Sequence, residues 1–204
     1  MPPKAPTTPF TLLFVGTLNY FPNADALAFL CDDVLPLLRQ KAHRPFVVSV
    51  IGGGAADVTR HSAPVPEVRL IGRVSDLAPW YHRADVAIVP IQTGGGTRIK
   101  VLEAFKYGRP VVSTSVGVEG LAVKDGEHVL VGDTPEAFAE HCLRLMADSV
   151  QAELLARNAS FLFRRAYTTE VAKRSLAACH VSEAQVAGVT PAAELMRSTN
   201  RVRS

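Results

Sequence analysis

Residues Asp85–Ser113 read DVAIVPIQTGGGTRIKVLEAFKYGRPVVS. The stretch opens on Asp85–Pro90, an apolar run in which Val86, Ala87, Ile88 and Val89 leave no polar side chain to face water. Strands of that kind are buried on both faces, as in parallel sheets. Gly94, Gly95 and Gly96 follow, and then a segment with helical spacing from Thr97 to Tyr107. A second β-branched run, Pro110–Thr114, comes directly after Gly108 and Arg109. Strand, glycine loop, helix and strand in that order make a βαβ unit with a parallel sheet.

The same alternation extends outward. Thr11–Leu18, TLLFVGTL, reads as a first strand, and Asn23 to Gln40 as a helix with Ala26, Leu27, Leu30, Val34, Leu37 and Leu38 on one side. Asn23 is placed to cap that helix, Asp25 lies in its first turn, and Arg39 and Lys41 suit its end. Phe46–Ile51, Val68–Gly72 and His128–Val131 are further strands, and Asp76–Arg83, Pro135–Ala147, Gln151–Arg165 and Thr169–Ala178 further helices. The expected fold is a doubly wound, Rossmann-like α/β domain over residues 11–180, with an N-terminal arm at 1–10 and a disordered tail at 181–204. Such sheets bind ligands beyond the carboxyl ends of their strands, which points to the loops after Val15, Ile51, Ile71 and Pro90.

Composition narrows the function. A chain of 204 residues, 48% hydrophobic and 20% charged, has the makeup of a soluble globular protein. No apolar run reaches the roughly 18 residues of a membrane span, and MPPKAPTTPF lacks the apolar core of a signal peptide, so the reading is cytoplasmic. A net charge of +3 is too slight to argue for nucleic acid. Cys31, Cys142 and Cys179 are far apart, which fits reduced core thiols, and neither they nor the scattered histidines suggest a metal site.

The glycine loop carries the chemistry. Glycine lets backbone approach a ligand closely, and the amides of a helix N-terminus attract anions. Arg98 and Lys100 lie in the expected first turn, where the helix dipole disfavours cations unless an anion compensates. The competing reading is a flexible loop with solvent-facing bases. Glu103, eight residues after Gly95, falls on the loop's side of the helix. It either accepts hydrogen bonds from a sugar diol or pairs with Lys100 or Lys106. VIGGGAADV lacks the G-x-G-x-x-G spacing and follows the second strand, so hydride-transfer chemistry fits poorly. Neither G-x-x-x-x-G-K-[ST] nor G-x-S-x-G occurs.

The stretch VRLIGRVSDLAPWYHRADVAIVPIQTGGGTRIKVLEAFKYGRPVVSTSVGVEGL closely resembles the donor-binding, C-terminal half of family-four retaining glycosyltransferases of the GT-B fold. The resemblance runs from about Phe14 to Tyr167 and is most specific over Val68–Leu121, where G-x-[VI]-x-D, the strand before the glycine loop, L-E-A, G-[RK]-P-V-V and G-x-x-G-L fall in order. It implies that the glycine loop holds the diphosphate of a sugar nucleotide, that Glu103 binds the ribose hydroxyls, and that Arg73-Val74-Ser75 borders the base. It implies a nucleoside-diphosphate sugar as donor substrate, no cofactor and no metal. The substrate-binding candidates are Gly16, Arg73, Val74, Gly94, Gly95, Gly96, Thr97 and Glu103.

This sequence departs from the family pattern in two places. Gly95 stands where the family usually has a glutamate that contacts the donor sugar. Thr17 and Pro22 stand where it usually has an Arg and a Lys on the phosphates. Arg98 and Lys100 are therefore read as the catalytic cations, positive charge having moved into GTRIK, with Arg98 the nearer to the loop. Because Lys100 lies about 200° around a helix from Arg98, the two are not expected to reach one phosphate equally. The resemblance also implies an acceptor domain of similar size, missing from this chain or supplied separately. Arg157, Arg164, Arg165, Lys173 and Arg174 on the late helices suit a return to that domain, or, as a second reading, a peripheral contact at the inner membrane face. A non-catalytic module that binds a nucleotide or a partner is the alternative to an enzyme part.

Overall fold

In the computed structural model, residues 8–54, 65–95 and 98–168 are described. The apolar runs form the six strands of one parallel sheet: β1 (Phe10–Val15), β2 (Phe46–Ile51), β3 (Val68–Gly72), β4 (Val86–Val89), β5 (Val111–Ser113) and β6 (Leu130–Val131). Their order in space is β3-β2-β1-β4-β5-β6. Every residue of β4 and β5 is buried, which is why their sequences show no polar alternation. β3 lies at the edge, and there Arg69 is exposed.

Helices cover the sheet as the alternation requires. α1 (Phe21–Phe29) runs through a π-helical turn at Leu30–Val34 into α2 (Leu35–Lys41). α3 (Ala78–Arg83) packs on β1, and α4 (Ile99–Lys106) on β4 and β5. α5 (Ser115–Val118) is a single turn, followed by α6 (Pro135–Ala147) and α7 (Ser149–Ala166). α6 lies against α2, and Phe138 meets Phe29 edge to face with ring centroids 6.1 Å apart. Leu12, Phe14, Leu30, Leu38, Ile88, Phe105, Leu130 and Phe138 are among the side chains buried in one continuous core. The chain divides after Arg164 into two units, and this fold is that of the first.

Several boundaries differ from those expected. The first helix begins at Phe21, with Pro22 in its first turn, so Asn23 is no cap and Asp25 falls beyond the first turn. Asn23 instead turns inward, where its Nδ2 donates to the Thr17 carbonyl at 2.8 Å. Arg39 and Lys41 do occupy the last turn of α2, as the dipole favours. The helix after the glycine loop starts at Ile99, which makes Arg98 its N-cap residue rather than part of its first turn. α5 was not foreseen, because four residues are too few to show a period. The expected helix Thr169–Ala178, the tail at 181–204 and residues 1–7 of the arm lie outside the described residues. No helix among the described residues is long and apolar enough to cross a membrane.

Candidate functional site

Chain order reverses between β1 and β4: the sheet grows from β1 through β2 to β3 on one side, then resumes at β4 on the other. The loops leaving β1 and β4 therefore part, and a crevice opens between them at the carboxyl end of the sheet. A cleft of about 110 Å³ lies there. The β1 loop and the start of α1 contribute Tyr20, Pro22 and Asn23, the β4 loop Thr93, Gly94 and Gly95, and the start of α4 Arg98 and Lys100. That volume is well below the roughly 300–1,000 Å³ of a pocket enclosing a whole drug-sized ligand. It has room for a small polar group and not for a whole ligand of that size.

The two loops touch. Gly94 has φ +109°, and a Cβ there would lie 2.8 Å from Pro22 Cγ. Only glycine lets the β4 loop come so close to the start of α1. Gly16, at the end of β1, is buried below this contact and does not line the cleft; a Cβ on it would meet the Asn23 side chain at 2.8 Å.

Two cations reach the cleft from the start of α4. Arg98 Nη2 donates to the Gly94 carbonyl at 3.3 Å and to Glu119 Oε2 at 2.8 Å. Lys100 is half-buried; burial, helped by nearby Arg98, pulls its pKa below the ordinary lysine value, while Glu103 acts in the opposite direction. The 200° separation expected of them does not apply, because Arg98 precedes the helix and both side chains line the same cleft.

The other expected site residues lie apart from the cleft. Glu103 is one turn beyond Lys100 on α4, and its Oε2 accepts from the Tyr81 hydroxyl at 3.4 Å. It forms no ion pair with Lys100 or Lys106. Burial and the Glu103 carboxylate push the Tyr81 phenol far above its usual range, so Tyr81 stays a donor. Its ring stacks on Tyr107 at 4.8 Å. Arg73 and Val74 follow β3, two strands from β1. Arg73 lies over the β2 loop, where a Cβ on Gly53 would be 2.8 Å from its Nε. Gly96 and Thr97 fall outside the described residues.

Three features of the site are not evident from the sequence. Tyr20 and Pro22 form a wall, Tyr81 braces Glu103, and Glu119 pairs with Arg98. Glu119 sits inside the G-x-x-G-L motif, and a lone acid beside two glycines was the available signal. Among the described residues, no group of three or more His, Cys, Asp or Glu side chains is placed to hold a metal ion.

Comparison with known proteins supplies the family. The chain is 32% identical over 178 residues to a D-inositol 3-phosphate glycosyltransferase of Thermomonospora curvata, an alignment covering 76% of this chain and 38% of that protein. The chain thus spans well under half of that relative's length. Among solved structures, HepE of Anabaena in complex with UDP superposes with a TM-score of 0.69 at 14% identity, covering 85% of this chain and 49% of that one. The C-terminal domain of a glycosyl transferase group 1 family protein, LpcC of Francisella tularensis, superposes with a TM-score of 0.62 at 16% identity, covering 80% of this chain and 88% of that domain. These likenesses establish the shared Rossmann-like fold of GT-B glycosyltransferases. The family profile described as glycosyl transferases group 1 matches residues 9–148, and the chain belongs to that family.

Proposed function

We propose that this domain binds the nucleoside-diphosphate sugar of a retaining, metal-independent glycosyltransferase, which transfers the sugar to a glycan or lipid-linked acceptor. The observation that carries the reading is the cleft at the β1/β4 switch point, where Arg98, Lys100 and the Gly94–Gly95 backbone converge. In this reading the diphosphate lies in the cleft, and Glu103, held by Tyr81, meets the ribose hydroxyls one helical turn along α4. The base extends toward Arg73 and Val74. As the bond from the sugar's anomeric carbon to the phosphate oxygen breaks, negative charge grows on the departing diphosphate. Arg98 and Lys100 stabilise that charge, which is the electrostatic part of catalysis. The chemistry needs neither cofactor nor metal because these fixed cations take the role a divalent ion would have. The domain alone transfers no sugar: it needs an acceptor-binding half, and the basic residues of α7, Arg157 and Arg164, suit contact with that half or with an anionic membrane face.

A second reading, a non-catalytic nucleotide- or partner-binding module, is favoured by the Arg98–Glu119 pair, which already neutralises one of the two cations. Calorimetric titration with UDP-, GDP-, ADP- and TDP-sugars tests the donor reading. Saturable binding of at least one is expected; the absence of binding by all four would refute it.

A further inference from the structure

Arg98 is nearly enclosed, with 10% of its side chain exposed, whereas the Glu119 side chain bonded to it is 73% exposed. The arginine is thus built into the wall of the cleft, and the carboxylate reaches it from outside. The backbone carrying Glu119 is held firmly. Thr114 Oγ1 caps α5 by accepting from the Gly117 amide at 3.0 Å and itself donates to the Ile91 carbonyl. A Cβ on Gly117 would collide with the Ser113 hydroxyl, so α5 lies tight against the end of the sheet. Glu119 can leave Arg98 by rotating its side chain, and its exposed carboxylate then regains water, provided that another anion takes its place on the enclosed guanidinium. The pair is exposed on its carboxylate side only, and a phosphate anion that takes the place of the carboxylate keeps the enclosed guanidinium paired through charge-assisted bonds.

We propose that Glu119 is a displaceable latch on Arg98: its carboxylate pairs with the arginine in the wall of the cleft, and the donor's diphosphate must expel it to bind. Glu119 thereby sets donor affinity without touching the donor. The proposal rests on the diphosphate occupying the cleft. No bond is made or broken; one ion pair is exchanged for another, and the freed carboxylate turns to solvent.

The test is calorimetric titration of inorganic pyrophosphate and of UDP into wild type, Glu119→Gln, Arg98→Ala and the double variant, each at two salt concentrations. Glu119→Gln is expected to bind pyrophosphate about three- to fivefold more tightly than wild type. Its affinity should fall more steeply with salt, because no internal carboxylate is exchanged. On the Arg98→Ala background the same substitution should change nothing. Weaker binding by Glu119→Gln would make Glu119 a brace that positions Arg98 and overturn the latch, and so would unchanged binding. A gain that persists without Arg98 would reduce the effect to the general field of one carboxylate, with the same consequence. If wild type binds UDP but Glu119→Gln binds no more tightly, the latch fails and the donor reading stands. If no nucleoside diphosphate binds wild type while Glu119→Gln gains pyrophosphate affinity through Arg98, the latch stands and the donor reading fails. Binding of no anion to any form would overturn both.

Discussion

Lys100→Met should make the empty domain more stable and the anion-bound domain harder to form. Lys100 occupies the second position of α4, where the positive end of the helix dipole opposes a cation by about 0.3–1 kcal/mol. Burial adds to that cost and holds its pKa below the ordinary value of 10.5, with Arg98 as the second cause. Methionine keeps the unbranched stem and removes the charge. For a domain of this size, 1 kcal/mol corresponds to about 2–4 °C in Tm. A rise of about 1–3 °C at pH 7 is therefore expected by calorimetry.

The pH dependence follows in sign. The folded pKa of Lys100 is lowered, so the unfolded chain binds the extra proton between that pKa and about 10.5. The penalty on wild type is complete below the folded pKa and disappears as pH climbs through this window. The stability gap between variant and wild type should close over the same interval. A diphosphate reverses the preference of Lys100, so binding of a nucleoside diphosphate should take up protons at pH values between the folded pKa and about 10.5. Titrations in two buffers of different ionisation enthalpy would read that uptake, and Lys100→Met should abolish it. A variant that unfolds several degrees below wild type while binding pyrophosphate unchanged would show instead that Lys100 supports the fold and takes no part in anion binding.

Two further substitutions separate parts of the site. Glu103→Gln should weaken UDP by about tenfold or more, the size of one charge-assisted hydrogen bond, and leave inorganic pyrophosphate unaffected; equal binding of UDP by variant and wild type, read by titration, would remove Glu103 from the ribose. Gly94→Ala places a Cβ 2.8 Å from Pro22 Cγ at φ +109°, so it should cost about 1–3 kcal/mol in denaturant unfolding and weaken pyrophosphate as the loop moves off α1; a variant of wild-type stability and affinity would show that the two loops do not depend on this contact.

The fold was legible because it rests on period and burial. Phe46–Ile51, Val68–Gly72 and Pro135–Ala147 have the bounds their composition demanded, and the apolar strand before the glycine loop is buried at every position. Helix starts were less legible. Asn23 has the residue type of a cap, but a proline one position earlier and a carbonyl at Thr17 turned it into a core amide. The loop's place in the site was readable from glycines beside bases, since strand order puts the β4 loop at the reversal of the sheet. The partners of those bases were not. Arg98 and Glu119 are 21 residues apart and meet only because α5 folds back over the ends of β4 and β5. Tyr81 and Glu103, on successive helices, meet in the same way.

If a nucleoside diphosphate lies at the β1/β4 switch point, amide resonances of the chain followed during a UDP titration will locate it. A competing groove of about 930 Å³, lined by Arg44, Arg109 and Arg157 and also by Asp85 and Glu153, lies toward the amino ends of β1 and β5. Saturable shifts are expected at Gly94, Gly95, Arg98, Lys100 and Glu103, with Phe10, Arg44 and Arg109 unmoved. Shifts clustered at Arg44, Arg109 and Arg157, or no shifts with UDP, GDP, ADP or TDP, would contradict that placement.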